Sequence, residues 1–117
     1  MKKLLILLAL FVGNELGGSE VFAAEPVYID VRSWAEHQVD SIEGHSRIHV
    51  SEIVEGVQTK FPDTSTSIRL YCAKGGRAQK ATDKLIAAGY TDVINLGGID
   101  DVRALEASEL EGVQQAE

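Results

Sequence analysis

Apolar and polar positions along this chain change between two periodicities, one typical of strands and one typical of helices. Short runs rich in β-branched and aromatic residues predict strands, whereas apolar residues three or four positions apart predict one buried helix face. The strands predicted in this way are 27–32, 45–50, 67–72 and 91–96. A predicted helix follows each of them, at 33–40, 51–61, 77–89 and 97–108, and the tail from residue 111 is expected to fray.

Residues at the predicted boundaries support this division. Ser33 and Glu36 form a capping-box pattern, Ser51 is expected to cap the second helix, and Pro62 follows the end of that helix. Gly89 is expected to close the third helix. Because parallel neighbours need crossover connections, strands that alternate with helices predict an α/β domain with a mainly parallel central sheet flanked by helices.

The first 23 residues show a different pattern. Lys2 and Lys3 precede an apolar run from Leu4 to Val12, and small residues end the segment, which is typical of a cleavable secretory signal peptide. The apolar run is shorter than the about 20 residues that a membrane-spanning helix needs, so no permanent membrane anchor is expected. We therefore predict a periplasmic protein with a single folded domain over 24–117, the alternative being an N-terminal helix of that domain.

Composition adds a constraint on partners. The 117 residues are enough for one domain with a modest core, and the formal net charge is −7. An acidic chain of this size does not suggest a nucleic-acid binder, because such proteins gather basic residues against phosphates. Local positive charge, where it occurs, is therefore informative.

The most informative position is Cys72, which is the only cysteine and so cannot form an internal disulfide. It ends the third predicted strand, and ligands of parallel sheets bind at that edge. Lys74, Arg77 and the positive end of the following helix are expected to lower the thiol pKa. The loop is also expected to point backbone N–H groups at the sulfur, namely those of Ala73, Gly75 and Gly76. A buried core cysteine is the alternative, but two glycines and two cations beside the thiol favour a catalytic thiolate.

Four segments resemble motifs of the rhodanese (sulfurtransferase) family. The segment "YCAKGGRA" is similar to the active-site loop C-x-x-G-x-R-[SA], with Cys72, Gly75, Arg77 and Ala78 at the matching places. The segments "YIDVRSWAEH", "IEGHSRIHVSEI" and "NLGGIDDV" resemble the family's opening, central and closing motifs in that order. The chain is most similar to the small periplasmic members of the family. It departs from the pattern at scaffold positions, namely His45, Ser46, His49 and Val102.

The resemblance implies a double-displacement reaction on the rhodanese fold. Cys72 would take the outer sulfur of a donor such as thiosulfate, release sulfite, and pass the sulfur from a persulfide to cyanide or a thiol. Arg77 and Lys74 are the candidates that would hold the anionic donor. Related phosphatases resemble C-x5-R, whereas Cys72 and Arg77 are separated by four residues, so the shorter loop favours a sulfur-sized target over phosphate.

Two rival functions remain for the same domain. One is a non-catalytic rhodanese-like binding module, and the other is a sulfur carrier or redox-sensing thiol, which would need an external thiol partner because no second cysteine is present.

Other polar residues have simpler expected roles. Asp30, Arg32 and Glu36 are expected to be structural, with Arg32 paired to an acid, and Trp34 either lines the mouth of the site or packs. The histidines His37, His45 and His49 are expected to be packed or solvated, because a third metal ligand is not evident. No metal or cofactor is expected, since Walker and dinucleotide fingerprints are also missing from the sequence.

Overall fold

The computed structural model describes residues 25–116 and contains one four-stranded parallel sheet. The strand order is β2-β1-β3-β4, and every neighbouring pair is parallel. The strands are β1 (Val27–Asp30), β2 (Ser46–Arg47), β3 (Ile68–Cys72) and β4 (Val93–Gly98). The predicted α/β class with a parallel sheet is confirmed. The predicted signal segment, 1–23, lies outside the described residues.

Helices connect the strands and cover both faces of the sheet. They are α1 (Trp34–Val39), α2 (Ile53–Lys60), α3 (Gly76–Ala87) and α4 (Ile99–Ala116), and a 3-10 turn, Val50–Glu52, leads into α2. In residues 25–116, none of these helices is both long and apolar enough to cross a membrane.

Side chains of β3 point alternately to the two faces of the sheet and so belong to two separate core clusters. Ile68, Leu70 and Cys72 point to one face, where they are buried with residues of α2 and α3, including Ile53, Val57, Ala78, Ala81 and Leu85. Tyr71 points to the opposite face and packs with Ile99 and Val102 of α4. Because side chains of a strand alternate with a period of two, this pattern fixes Cys72 on the α2 and α3 side of the sheet.

The structure corrects several predicted boundaries. Gly97 and Gly98, which were predicted to begin the last helix, are the end of β4. The second strand covers only Ser46–Arg47, and His49 rather than Ser51 caps the next turn, since its Nδ1 accepts the N–H of Ser51 at 3.2 Å. The last helix does not fray at residue 111 but continues to Ala116. Its distal sequence is rich in Glu, Gln, Ala and Leu, which are strong helix formers, and this explains the longer helix.

Candidate active site

The thiol of Cys72 lies at the carboxyl end of the central strand β3, under the loop that leads into α3. Cys72 is 1% exposed, and its Sγ accepts a hydrogen bond from the N–H of Gly75 at 2.9 Å. The strand pairing is irregular between Leu70 and Cys72, and Cys72 aligns with Gly98 of β4. The predicted position of the thiol, at the ligand-binding edge of a parallel sheet, is what the structure shows.

The sulfur occupies the place that a capping side chain normally takes at a helix N-terminus. Gly75 is the N-cap residue of α3, has a left-handed φ of 110°, and offers no side-chain cap. An N-cap side chain usually accepts the N–H groups of the second and third helical residues, which here are Arg77 and Ala78. Both of those N–H groups instead contribute to the lowered pKa of Cys72.

These backbone N–H groups set the acidity of the thiol. Burial by itself raises the pKa of Cys72, because a buried thiolate loses its hydration. Hydrogen bonds from the N–H groups outweigh burial and leave the pKa below its usual value; the donors are Ala78, Gly75, Lys74 and Arg77. A pre-arranged set of N–H donors can stabilise a sulfur anion without reorganising when the anion forms.

Two of the N–H donors lie outside the loop segment expected from the sequence. Gly75 was expected, and its N–H lies 2.9 Å from Cys72 Sγ. The N–H groups of Arg77 and Ala78, the second and third helical residues, also lower the pKa of the thiol, and sequence analysis did not name them as donors. The expected roles of the Ala73 and Gly76 N–H groups stay predictions.

The end of β4 packs directly against this loop. The backbone of Gly98 lies so close to the Ala73 carbonyl that a Cβ at position 98 would collide with it. Asn95 donates from Nδ2 to the carbonyl of Gly75 at 3.1 Å, and Asp101 accepts the N–H of Gly98 at 2.8 Å. The sequence signal for this contact was the pair of glycines in "NLGGIDDV", which was interpreted only as a turn into a helix.

Arg77 is held by an acid from the first crossover. Its Nη1 and Nη2 donate to Glu36 Oε1 and Oε2 at 2.7 and 3.0 Å. This contact and the hydrogen bonds from Ser33 lower the pKa of Glu36 to about 2, so Glu36 stays ionised at neutral pH. Glu36 also completes the predicted capping box with Ser33, which is confirmed. Glu36 therefore links the start of α1 to the active-site loop.

The other two members of the predicted acidic and basic trio form a separate buried pair. Asp30 and Arg32 are 0% and 5% exposed, and Arg32 Nη2 lies 2.8 Å from Asp30 Oδ2. His37 Nδ1 is 3.1 Å from the same oxygen. The expectation that Arg32 pairs with an acid is confirmed. The contact of His37 with Asp30 joins the end of β1 to α1.

Lys74 and Trp34 are the two remaining side chains that sequence analysis considered for the site. Lys74 is exposed and takes part in no ion pair within residues 25–116. Trp34, the first residue of α1 and next to Ser33, is 65% exposed, so it does not have the packing role that was its alternative. Both side chains are therefore accessible from solvent.

The three histidines lie in three different environments. His37 contacts Asp30, His49 caps the 3-10 turn, and His45 packs between Tyr28 and Tyr71 on the opposite face of the sheet from Cys72. Over residues 25–116, no group of three or more His, Cys, Asp or Glu side chains is arranged to hold a metal ion. The expectation that His45 is a packed residue is confirmed.

Comparisons with known proteins agree with this geometry. A family model described as the rhodanese-like domain matches residues 19–105. Thiosulfate sulfurtransferase PspE of Escherichia coli strain K12 is 37% identical over 82 residues, which cover 70% of this chain and 78% of that protein. The structure of a rhodanese with anions from E. coli is similar with a TM-score of 0.63 and 32% identity, over 66% of this chain and 91% of that chain. The Rhodanese_3-like domain of the Anabaena protein Alr3790 has the same fold, with a TM-score of 0.64 and 23% identity over 69% and 93% of the two chains.

Proposed function

This chain belongs to the rhodanese family of sulfurtransferases, and we propose that it is a thiosulfate sulfurtransferase that carries sulfur as a persulfide of Cys72. The observation that carries the proposal is the buried Cys72 sulfur that accepts backbone N–H groups and has a lowered pKa. A thiolate, and not a thiol, is the nucleophile in sulfur transfer.

In the first half-reaction, the Cys72 thiolate attacks the outer sulfur of thiosulfate. A bond forms between Cys72 Sγ and that sulfur, and the sulfur–sulfur bond of thiosulfate breaks with its electron pair on the departing sulfite. The products are an anionic Cys72 persulfide and sulfite, so charge balances and no outside oxidant or reductant is needed. The N–H groups around Sγ support this step because they stabilise negative charge on the inner sulfur.

In the second half-reaction, an acceptor takes the outer sulfur from the persulfide. Cyanide or a thiolate attacks that sulfur, the persulfide bond breaks, and Cys72 leaves as a thiolate. The acceptor becomes thiocyanate or a persulfide. The same N–H groups make Cys72 a good leaving group, because they stabilise the thiolate that departs.

Lys74 and Arg77 are proposed to attract the doubly negative donor. Lys74 supplies an exposed positive charge beside the loop. Arg77 donates two N–H groups to Glu36, and a guanidinium has five, so donors remain for an oxyanion. Because Glu36 balances the charge of Arg77, Lys74 contributes more of the net attraction.

The test is intact-mass spectrometry of the purified, reduced protein before and after thiosulfate, and then after cyanide. We expect a gain of one sulfur atom that cyanide removes and that Cys72→Ser abolishes. A folded protein that gains no mass from thiosulfate would contradict the proposed donor. A sulfur that is gained but never passed to cyanide or a thiol would favour the carrier or sensor function. Full transfer activity in Cys72→Ser would end the proposal.

Residues 1–23 are proposed to be a signal peptide that exports the domain at 24–117 to the periplasm. The basic and apolar pattern of this segment supports the proposal. Expression of the full chain in a Gram-negative host, followed by mass measurement of the periplasmic fraction, should give a protein that has lost the segment. Recovery of the uncut chain from the cytoplasm would contradict export.

A further inference from the structure

Positive charge is concentrated on the loop and helix that carry the active site. Residues 73–84 contain four cations and one acid, Asp83, which gives a net charge of +3 in a chain whose net charge is −7. The cations are Lys74, Arg77, Lys80 and Lys84. An acidic protein with one basic region has an electrostatic field that guides negative groups to that region.

The lysines of this region are available to a partner. Four of the arginines form ion pairs with carboxylates, namely Arg32, Arg69, Arg77 and Arg103. In contrast, Lys74, Lys80 and Lys84 are exposed and form no ion pair within the part of the chain that the structure describes. We call these three lysines the basic flank.

The basic flank extends away from the thiol along one side of α3. Arg77, Lys80 and Lys84 occupy positions i, i+3 and i+7, which share a side of a helix. Residues Ala78, Ala81, Thr82 and Leu85 form the buried side, so the cations face outward. At 1.5 Å per residue, Lys84 lies about 10 Å beyond Arg77 along the helix axis. A molecule the size of thiosulfate at Cys72 cannot reach both ends of this flank.

Acidic residues mark the far limit of the basic flank. A groove of about 390 Å³ between α2 and α3 is lined by Lys84 on one side and by Glu52 and Glu55 on the other. These carboxylates repel a negative partner from the groove itself. An acidic segment is therefore favoured along the exposed side of α3, between Lys84 and Lys74.

We propose that the basic flank docks an acidic segment of a partner protein and brings a thiol on that segment to the Cys72 persulfide. The proposal rests on the function proposed above and specifies its acceptor. In the transfer, the partner's thiolate attacks the outer persulfide sulfur, the bond to Cys72 breaks, and the partner keeps the sulfur as a persulfide while Cys72 returns to a thiolate. Charge and electrons balance without another reactant.

The test compares three synthetic peptides that share one cysteine and differ in flanking residues: acidic, neutral and basic. The persulfide form of the protein is made with thiosulfate, and its transfer rate to each peptide is measured at about 0.01 M and about 0.15 M salt, where the Debye length is about 30 Å and about 8 Å. We expect the acidic peptide to react about tenfold faster than the neutral one at low salt, since steering raises association rates by 10- to 10³-fold. The difference should shrink at the higher salt concentration.

The variant pair Lys80→Gln with Lys84→Gln tests the docking surface without changing the reaction centre. We expect it to remove most of the preference for the acidic peptide and to leave the thiosulfate and cyanide reaction unchanged. Lys60→Gln is the matched control, because Lys60 is also an exposed lysine but lies at the end of α2. It should behave as the unmodified protein does.

The possible outcomes separate this proposal from the function on which it rests. If thiosulfate loads no sulfur onto Cys72, the proposed function fails. If loading and cyanide turnover are normal but the acidic peptide is no faster than the neutral one, or the double variant keeps the preference, the docking proposal is overturned. Equal transfer rates to all three peptides, together with lysine-dependent binding to phosphatidylglycerol vesicles, would also overturn it and assign the flank to a lipid surface.

Discussion

The carboxylate of Glu36 accepts two hydrogen bonds from the guanidinium of Arg77, at 2.7 and 3.0 Å, and so joins residues that are 41 positions apart. Arg77 also belongs to the group of residues whose backbone N–H acts on Cys72 Sγ. One side chain in the first crossover therefore contacts a residue whose N–H lowers the pKa of the Cys72 thiol. We expect this contact to help position the loop that follows Cys72.

We expect Glu36→Gln to lower kcat/KM for sulfur transfer by about tenfold, which corresponds to about 1.4 kcal/mol of transition-state stabilisation. Glutamine at this position keeps the capping box, because Gln can replace Glu there, but it loses the charged contact with Arg77. A small misplacement of a catalytic group has a large effect on rate. The measurement is steady-state transfer from thiosulfate to cyanide.

Asp40→Asn is the control for this prediction. It weakens another bidentate contact between an arginine and a carboxylate, that of Arg103 with Asp40. Both of these side chains are partly exposed. Its effect on kcat/KM should be within about twofold, because exposed ion pairs contribute little. Equal activities of the two variants would show that Glu36 has no special role at the site.

We expect Gly98→Ala to damage both stability and activity. A methyl group at this position would collide with the carbonyl of Ala73, so either the loop after Cys72 or the end of β4 must move. Overpacking of this kind typically costs about 1–3 kcal/mol of the free energy of unfolding. Urea denaturation and the cyanide assay measure the two effects.

Gly112→Ala provides the comparison for that substitution. A Cβ at Gly112 meets no atom within 4 Å, and the residue lies on the exposed distal part of α4. Alanine should therefore stabilise the helix by up to about 1 kcal/mol and leave activity unchanged. If Gly98→Ala were as stable and as active as Gly112→Ala, the close packing under the loop would not matter.

We expect the rate at which iodoacetamide alkylates Cys72 to rise with pH, and the midpoint of that rise to lie at a lower pH in the folded protein than in urea. The N–H groups of Ala78, Gly75, Lys74 and Arg77 lower its pKa only when the loop is folded. Gly76→Ala should leave the midpoint unchanged, because the substitution keeps the backbone N–H and its Cβ would enter open space. A folded midpoint equal to that in urea would contradict thiolate stabilisation by the loop.

Local sequence patterns predicted the order of strands and helices and the position of the Cys72 thiol. They did not predict the contacts that position the loop around the thiol. The order of strands and helices, the capping box at Ser33 and the position of Cys72 all depend on short segments, so the sequence contains them directly. The contact of Glu36 with Arg77 and that of Gly98 with Ala73 join distant segments, and only the folded sheet brings them together. The choice of N–H donors depended on which residue becomes the N-cap, a boundary that propensity does not determine.

His45 is a titratable group packed on the sheet face opposite Cys72. Its ring stacks on Tyr28 with centroids 4.8 Å apart, Nδ1 lies 2.9 Å from the Tyr71 hydroxyl, and Nε2 lies 3.4 Å from Glu106 Oε2. Burial lowers the pKa of His45 below its usual value of 6.5, and this outweighs the opposite effect of Glu106 and Asp30. The folded protein therefore favours the neutral imidazole.

A lowered histidine pKa makes the free energy of unfolding depend on pH in a defined direction. As the pH falls through about 6.5, the unfolded chain takes up a proton at His45 before the folded protein does, so stability is lost until the pH lies below the folded pKa. We expect urea midpoints between pH 7.5 and pH 5 to fall with acid in the unmodified protein, and His45→Gln and His45→Phe to reduce that slope. Slopes that stay the same in both variants would mean that His45 does not couple folding to protonation, since neither replacement can titrate in this range.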